Sequence, residues 1–273
     1  MSQQVKVSAS KLAVAEQCQY HFYLRYVKKL RVIAMTHPSA ASGSVFHRSV
    51  ELWYQYARMS GRPLDLNSLL TFARQAWDDC EANKKFRLEP EYVRANKDKM
   101  IQDVRNLLTA FYEDETARGT MVMPMWQEKE FSIPWDTGKG FIVMINGFID
   151  RVVKMGKDVF VTDYKTSSIL KTQTEVDEDH QLTFYAAAYR WFAKQSVALL
   201  PEAESFLELY FPKFHKHVMT VRTKAHFDDL KNRLVKVGEM ELKELKNATP
   251  SKEACMFCEY AASGDCKLTP FKK

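Results

Sequence analysis

At 273 residues the chain is long enough to bury one large core or two small ones, and its 46% apolar content is that of a soluble globular protein. A formal charge of +6 admits a polyanionic partner without requiring one. No apolar run approaches the ~20 residues that span a bilayer, and the opening Met-Ser-Gln-Gln-Val-Lys has no export-signal core, so no membrane association and a cytoplasmic setting with unpaired cysteines are expected.

In chain order, Ser10 is the expected N-cap of a helix reaching about Val27. His37-Pro38-Ser39 and Ser42-Gly43 read as a loop before a helix over about 44–59, which carries His47 and Glu51 on one face. Gly61-Arg62-Pro63 breaks the chain, and helices follow over about 66–82 and 90–117. The second of these, rich in charge, reads as a surface helix or lid. The middle is β-rich, with strands expected near 125–133, 141–154 and 158–163. A helix over about 178–194, strands near 206–211 and 216–222, and a closing helix over about 224–247 complete the pattern. The tail from Thr249 is short, polar and cysteine-rich. There are no internal repeats, and no G-x-x-x-x-G-K-[ST] loop for an ATPase. The expected fold class is α/β, one central mixed sheet flanked by helices. The expected organisation is a single domain over 1–273, with a mostly helical part (1–120), a catalytic sheet and helix (121–223), and a closing helix with cysteine tail (224–273).

The strand ending in Asp163-Tyr164-Lys165 carries the chemistry. Side chains alternate along a strand, so Asp163 and Lys165 point the same way. Asp150 comes from the preceding strand. Two carboxylates and a lysine on adjacent strands suit a Mg²⁺ or Mn²⁺ site for phosphodiester cleavage: the carboxylates hold a hard cation, and the lysine offsets charge on the attacked phosphate. An ordered set surrounds them: Gly43-Ser44-Val45-Phe46-His47, Glu128 and Glu130 on one strand, Gly147-Phe148-Ile149-Asp150-Arg151, and His180-Gln181-Leu182-Thr183-Phe184-Tyr185.

On these motifs the chain resembles the RecB-type branch of the PD-(D/E)xK nuclease superfamily, over about Ser8 to Cys266, with Thr162 at the position of the nominal proline. The resemblance implies a restriction-endonuclease-like core. It implies His47, Asp150, Asp163 and the Tyr164 carbonyl as metal ligands, Lys165 as the catalytic lysine, and Gln181 with Tyr185 holding the scissile phosphate. Glu130 is a further candidate ligand or an ion-pair partner. Arg151 reads equally as structural or phosphate-contacting, and Thr166 as a support of the strand end. Arg25, Lys28, Lys29, Arg31 and Lys171 are candidate phosphate contacts.

Of the five cysteines, Cys80 reads as an ordinary buried thiol, while Cys255, Cys258 and Cys266 show metal-ligand spacing. Ligand chemistry alone does not choose between zinc and an iron–sulfur cluster. The resemblance leans to a [4Fe–4S] cluster on Cys18, Cys255, Cys258 and Cys266, stapling the tail to the first helix, with zinc or free thiols as alternatives. The seven residues between Cys258 and Cys266 are a longer gap than is usual in that pattern, and Gln19 follows Cys18 where proline is common. The implied activity is metal-dependent DNA cleavage, an exonuclease on single-stranded or frayed ends. The implied pathways are recombination, repair, degradation or CRISPR adaptation in a bacterial, archaeal or phage-infected cell, with a helicase, recombinase or adaptation partner. The rival is a catalytically inactive nuclease-fold module that binds DNA or acts as a scaffold.

Overall fold

The structure is a computed structural model that describes residues 3–32, 34–62, 64–195, 205–242, 254–255 and 258–266. Strand β1, Gln3–Val7, was not foreseen in the sequence; it buries only Val5 and Val7. Helix α1, Ala9–Gln17, is capped by Ser8 rather than Ser10, because the Ser8 hydroxyl accepts from the Lys11 amide. The helix expected to run to Val27 is interrupted. Cys18 is extended, with φ −158°, and its Sγ accepts from the His21 amide at 3.4 Å. That contact restarts the chain as α2, Gln19–Phe22, followed by a π-helical turn, Tyr23–Val27. Helix α3, Pro38–Ser60, takes in residues expected to form a loop, since His37 caps it and Pro38 suits its first turn.

Helices α4, Leu66–Ala82, and α5, Pro90–Ala117, pack on α3. The charged helix expected at the surface turns out to be a core helix on one face: Met100, Ile101, Val104, Leu108 and Phe111 are all buried. A 3.6-residue period hides such a stripe among charged neighbours.

The remaining strands are β2 (Trp126–Asp136), β3 (Phe141–Met155), β4 (Asp158–Tyr164), β5 (Ser205–Phe211) and β6 (Lys216–Thr220). They join β1 in one mixed six-stranded sheet. Strand β2 runs antiparallel along β3 from Ile142 to Val152. The other edge of β3 is shared. Parallel β1 pairs with Phe141 to Ile145, and antiparallel β4 pairs with Arg151 to Met155. Residues 146–150, between the two, have no strand partner on that edge among the described residues, and Asp150 lies at this opening. Parallel β5 then follows β4, and antiparallel β6 follows β5.

The helix expected over 178–194 is observed at His180–Ala193, and a short helix not expected from the sequence precedes it. Helix α6, Gln173–Asp177, opens with a capping box between Thr172 and Glu175, and α7, His180–Ala193, is capped by Asp179. Helix α8 spans Lys224–Leu242, and the rest of the helix expected to 247 lies outside the described residues, as do Pro63 of the expected break and most of the tail from Thr249. A short helix, α9, covers Glu259–Ser263. One apolar core lies between the sheet and α1, α7 and α8; a second lies between α3, α4 and α5 and is joined by Tyr164 and Tyr210 of the sheet. The architecture is the restriction-endonuclease-like α/β fold. Among the described residues no helix is long and apolar enough to cross a membrane.

Candidate active site

The site forms where β4 ends, at the opening in β3 and between α3 and α7. Strand alternation sends Asp163 and Lys165 toward α7 and Tyr164 toward α3. Tyr164 is anchored by edge-on contacts with Phe46 and Phe111, at 5.6 and 5.5 Å between centroids. Its backbone amide donates to Asp150 Oδ2 at 2.8 Å, which ties the two acidic strands together. Gly43 makes room for the loop beyond Lys165, since a Cβ there would stand 2.8 Å from Thr166 Oγ1.

From α3, His47 reaches down to this point. Its Nε2 lies 3.3 Å from the Tyr164 carbonyl oxygen, and its Nδ1 lies 3.3 Å from Glu128 Oε1 and 3.6 Å from Asp150 Oδ2. Both ring nitrogens face oxygen acceptors, the arrangement of an imidazolium. Burial works against protonating His47, but the charges of Asp150 and Glu128 outweigh it and raise its pKa. Burial also pushes the Asp150 carboxyl up; the charges of Asp163 and Glu128 add to this, while His47 pulls it back. The cluster therefore draws positive charge in.

On the α7 side, Lys165 Nζ lies 2.6 Å from Asp163 Oδ2 and donates to Gln181 Oε1 at 2.8 Å. Burial alone would lower the Lys165 pKa, yet the Asp163 carboxylate outweighs burial and raises it, so the side chain is a cation rather than a base. The Gln181 amide donates to Asp163 Oδ1 at 2.6 Å and to the Tyr185 hydroxyl at 2.9 Å. Tyr185 in turn lies 3.0 Å from Asp163 Oδ1 and 3.4 Å from Asp150 Oδ1. Gln181 and Tyr185 thus brace the two aspartates and the lysine.

Two strand glutamates are sorted by backbone conformation. Glu130 is exposed and away from the cluster. Glu128 stands across from Asp150 with φ +45°, unusual for a residue other than glycine, and its carboxylate groups with His47 and Asp150 within 4.8 Å. Alternation puts both glutamates on one face, so the sequence alone could not separate them. Arg151 faces the other way. It is 1% exposed and bonds Glu115 at 2.6 Å, which makes it structural. Of the candidate phosphate contacts, Lys171 is paired with Asp179 and Arg25 with Glu259, whereas Lys28, Lys29 and Arg31 are exposed and have no ion-pair partner among the described residues.

At the far end of the first helices, Cys18, Cys255, Cys258 and Cys266 are all buried and none forms a disulfide. Burial pushes the Cys258 thiol up, and Cys18 is close enough to add to the effect. The tail is clamped there: Tyr260 donates to the Leu30 carbonyl at 2.7 Å, and Glu259 lies 3.2 Å from His21 Nε2. Cys80 sits elsewhere, under α3, with its thiol on the Ser44 carbonyl.

The family model for the PD-(D/E)XK nuclease superfamily matches residues 6–263, and the chain belongs to that superfamily. It is thus of nuclease type, a class that acts on nucleic acid, usually with divalent metals. Comparison with curated proteins gives no match. A solved structure described as "Crystal structure of SSO0001" aligns over 66% of this chain and 81% of its own, at 16% identity and a TM-score of 0.33. So loose a likeness carries no functional argument.

Proposed function

We propose that this chain is a Mg²⁺- or Mn²⁺-dependent deoxyribonuclease that trims single-stranded or frayed DNA ends. The observation that carries the reading is the convergence of Asp150, Asp163 and Lys165 with His47 and the Tyr164 carbonyl at one strand end. The crowding of His47, Glu128 and Asp150 fits a hard divalent cation, because oxygen donors and one imidazole are what such ions take. Asp150, Asp163, the Tyr164 carbonyl and His47, which gives up its proton to ligate, would hold the ion, with Glu128 beside them. When bound, the cation supplies Lewis-acid polarisation and eases deprotonation of water.

The chain's own residues do the rest. In hydrolysis a water oxygen adds to phosphorus, the bond to the leaving sugar oxygen breaks, and a proton ends on that oxygen. The Lys165 ammonium stands where negative charge grows on the phosphate and stabilises it. Gln181 keeps Lys165 and Asp163 in register, and the Tyr185 hydroxyl holds the two aspartates apart. Lys165→Ala is expected to abolish cleavage of end-labelled single strands in Mg²⁺ or Mn²⁺, as EDTA does, while leaving strand binding largely intact. Binding lost in step with cleavage would overturn the assigned role of Lys165. A wild-type protein that cuts nothing would overturn the enzyme.

We also propose a [4Fe–4S] cluster on Cys18, Cys255, Cys258 and Cys266. Its support is a set of buried soft donors from both ends of the chain, in a tail clamped to the first helices. Iron content and visible absorbance of anaerobically purified protein test it; colourless, iron-free protein would end the idea.

A further inference from the structure

Two cavities meet at the Lys165–Gln181 contact and share no lining residue. One, of about 740 Å³, holds His47, Glu128, Tyr164 and Lys165, and its outer wall includes Lys85. The other, of about 610 Å³, holds Gln181 and Tyr185 and is rimmed by Glu16, Glu175, Glu178 and Asp179, with Lys171 as its one lysine. Both fall in the roughly 300–1,000 Å³ range of small-ligand sites. Their charge differs: in the first, Arg48, Lys85 and Lys165 balance Glu51, Asp79 and Glu128, whereas in the second Lys171 stands against four carboxylates. A phosphodiester chain continuing through the second cavity would pass Glu175 and Glu178, which have no cationic partner among the described residues, as well as Glu16 and Asp179, paired with Arg233 and Lys171, so a polyanion is disfavoured on that side.

The first cavity opens onto the corner between α4 and α5, where Lys84, Lys85 and Arg87 are all exposed. Among the described residues none of the three has an acidic partner, whereas the cations around them do: Arg48 pairs with Glu51 and Asp79, and Lys97 with Asp78 and Glu81. The corner is also built to stay in place. Lys84 adopts φ +54°, where glycine or asparagine would be the relaxed choice, and the Lys85 amide closes α4 on the Cys80 carbonyl at 2.9 Å. Phe86 is buried 5.0 Å from the Trp77 ring. Arg87 exchanges two hydrogen bonds with Thr36, at 2.7 and 2.9 Å. A fixed corner with three free cations at the mouth of a catalytic cavity is suited to phosphate groups in series.

We propose that Lys84, Lys85 and Arg87 form the rail on which the backbone of a single DNA strand lies as it approaches the site. The body of the strand extends over the α4–α5 corner, and the acid-rimmed cavity receives only its short end. This rests on the nuclease reading above and adds to it the direction of approach, which favours removal from ends over internal cutting.

The test is the salt dependence of binding to a fluorescein-labelled oligodeoxythymidylate, with Ca²⁺ replacing Mg²⁺ to prevent cleavage. For Lys84→Ala/Lys85→Ala/Arg87→Ala the slope of log K against log salt is expected to shrink by about 2, from three lost contacts at ~0.7 each, with affinity at low salt down roughly tenfold or more. Lys154→Ala/Lys157→Ala, at the β3–β4 turn, should leave the slope as it is. An unchanged slope in the triple variant, or an equal loss in the control pair, overturns the rail while leaving the nuclease standing. A wild-type protein that neither binds nor cuts DNA takes down both.

Discussion

Arg151 follows Asp150 directly, and replacing it separates a structural arginine from a phosphate-binding one. Its guanidinium donates to Glu115 at 2.6 Å and to the Thr120 carbonyl, and stands 5.8 Å from the rings of both Tyr54 and Phe111. Arg151 is 1% exposed and Glu115 0%, so no substrate reaches either. Arg151→Met keeps most of the volume and takes the guanidinium from the buried Glu115 carboxylate, leaving it the Thr120 hydroxyl at 2.6 Å and His217 at 3.7 Å. Removing one partner of such a pair costs about 3–5 kcal/mol, most of it the price of an unpaired buried charge. For a domain of this size that is a fall in Tm on the order of 10 °C. Adding Glu115→Gln should recover part of the loss, because the stranded charge goes with it. Thermal and urea unfolding would measure both, with cleavage per folded molecule followed at a temperature where all variants remain native. A variant that melts like wild type but loses DNA affinity would refute the argument and return Arg151 to the phosphate-contacting role.

Two other outcomes follow from neighbouring residues. Glu128→Gln should weaken Mn²⁺ binding by about 10–100-fold in calorimetry, the usual cost of losing a group that orients or supplements a metal site; unchanged affinity would place Glu128 outside it. Glu208 is buried, and although burial by itself would raise its pKa, hydrogen bonding to His217 and the charges of His217 and Arg118 bring it down from 4.5 to about 2. A carboxyl depressed in the folded state contributes stability above its unfolded pKa and loses it as pH falls through the folded one. The ~2.5-unit difference corresponds to roughly 3 kcal/mol, present above about pH 4.5 and lost on the way to pH 2. The urea midpoint of Glu208→Gln should therefore fall less steeply over that window than that of wild type; parallel curves would argue against it.

The sequence made the site more legible than the fold around it. Asp150, Asp163, Lys165, Gln181 and Tyr185 lie in short motifs whose face is set by strand or helix period, and the structure brings all five together with His47. Glu128 was hidden because its position depends on a left-handed backbone angle, not on period. Strand β1 was hidden for another reason: Gln-Gln-Val-Lys-Val is too short for its alternation to stand out, and it becomes a strand because residues far along the chain pair with it. The break at Cys18 also escaped notice, since helical periodicity runs on through a residue whose thiol ends one helix by capping the next.

That distant pairing sets a schedule for synthesis. Gln3 pairs with Phe141, a separation of 138 residues (141 − 3). At about 5–20 residues per second, β1 leaves the ribosome roughly 7–30 s before the strand that shelters it. Throughout that interval Val5 and Val7 are a strand edge without a partner, open to pairing with any other nascent chain. The brevity of β1, its two leading glutamines and the lysine between its valines keep that waiting edge poorly adhesive until β3 arrives.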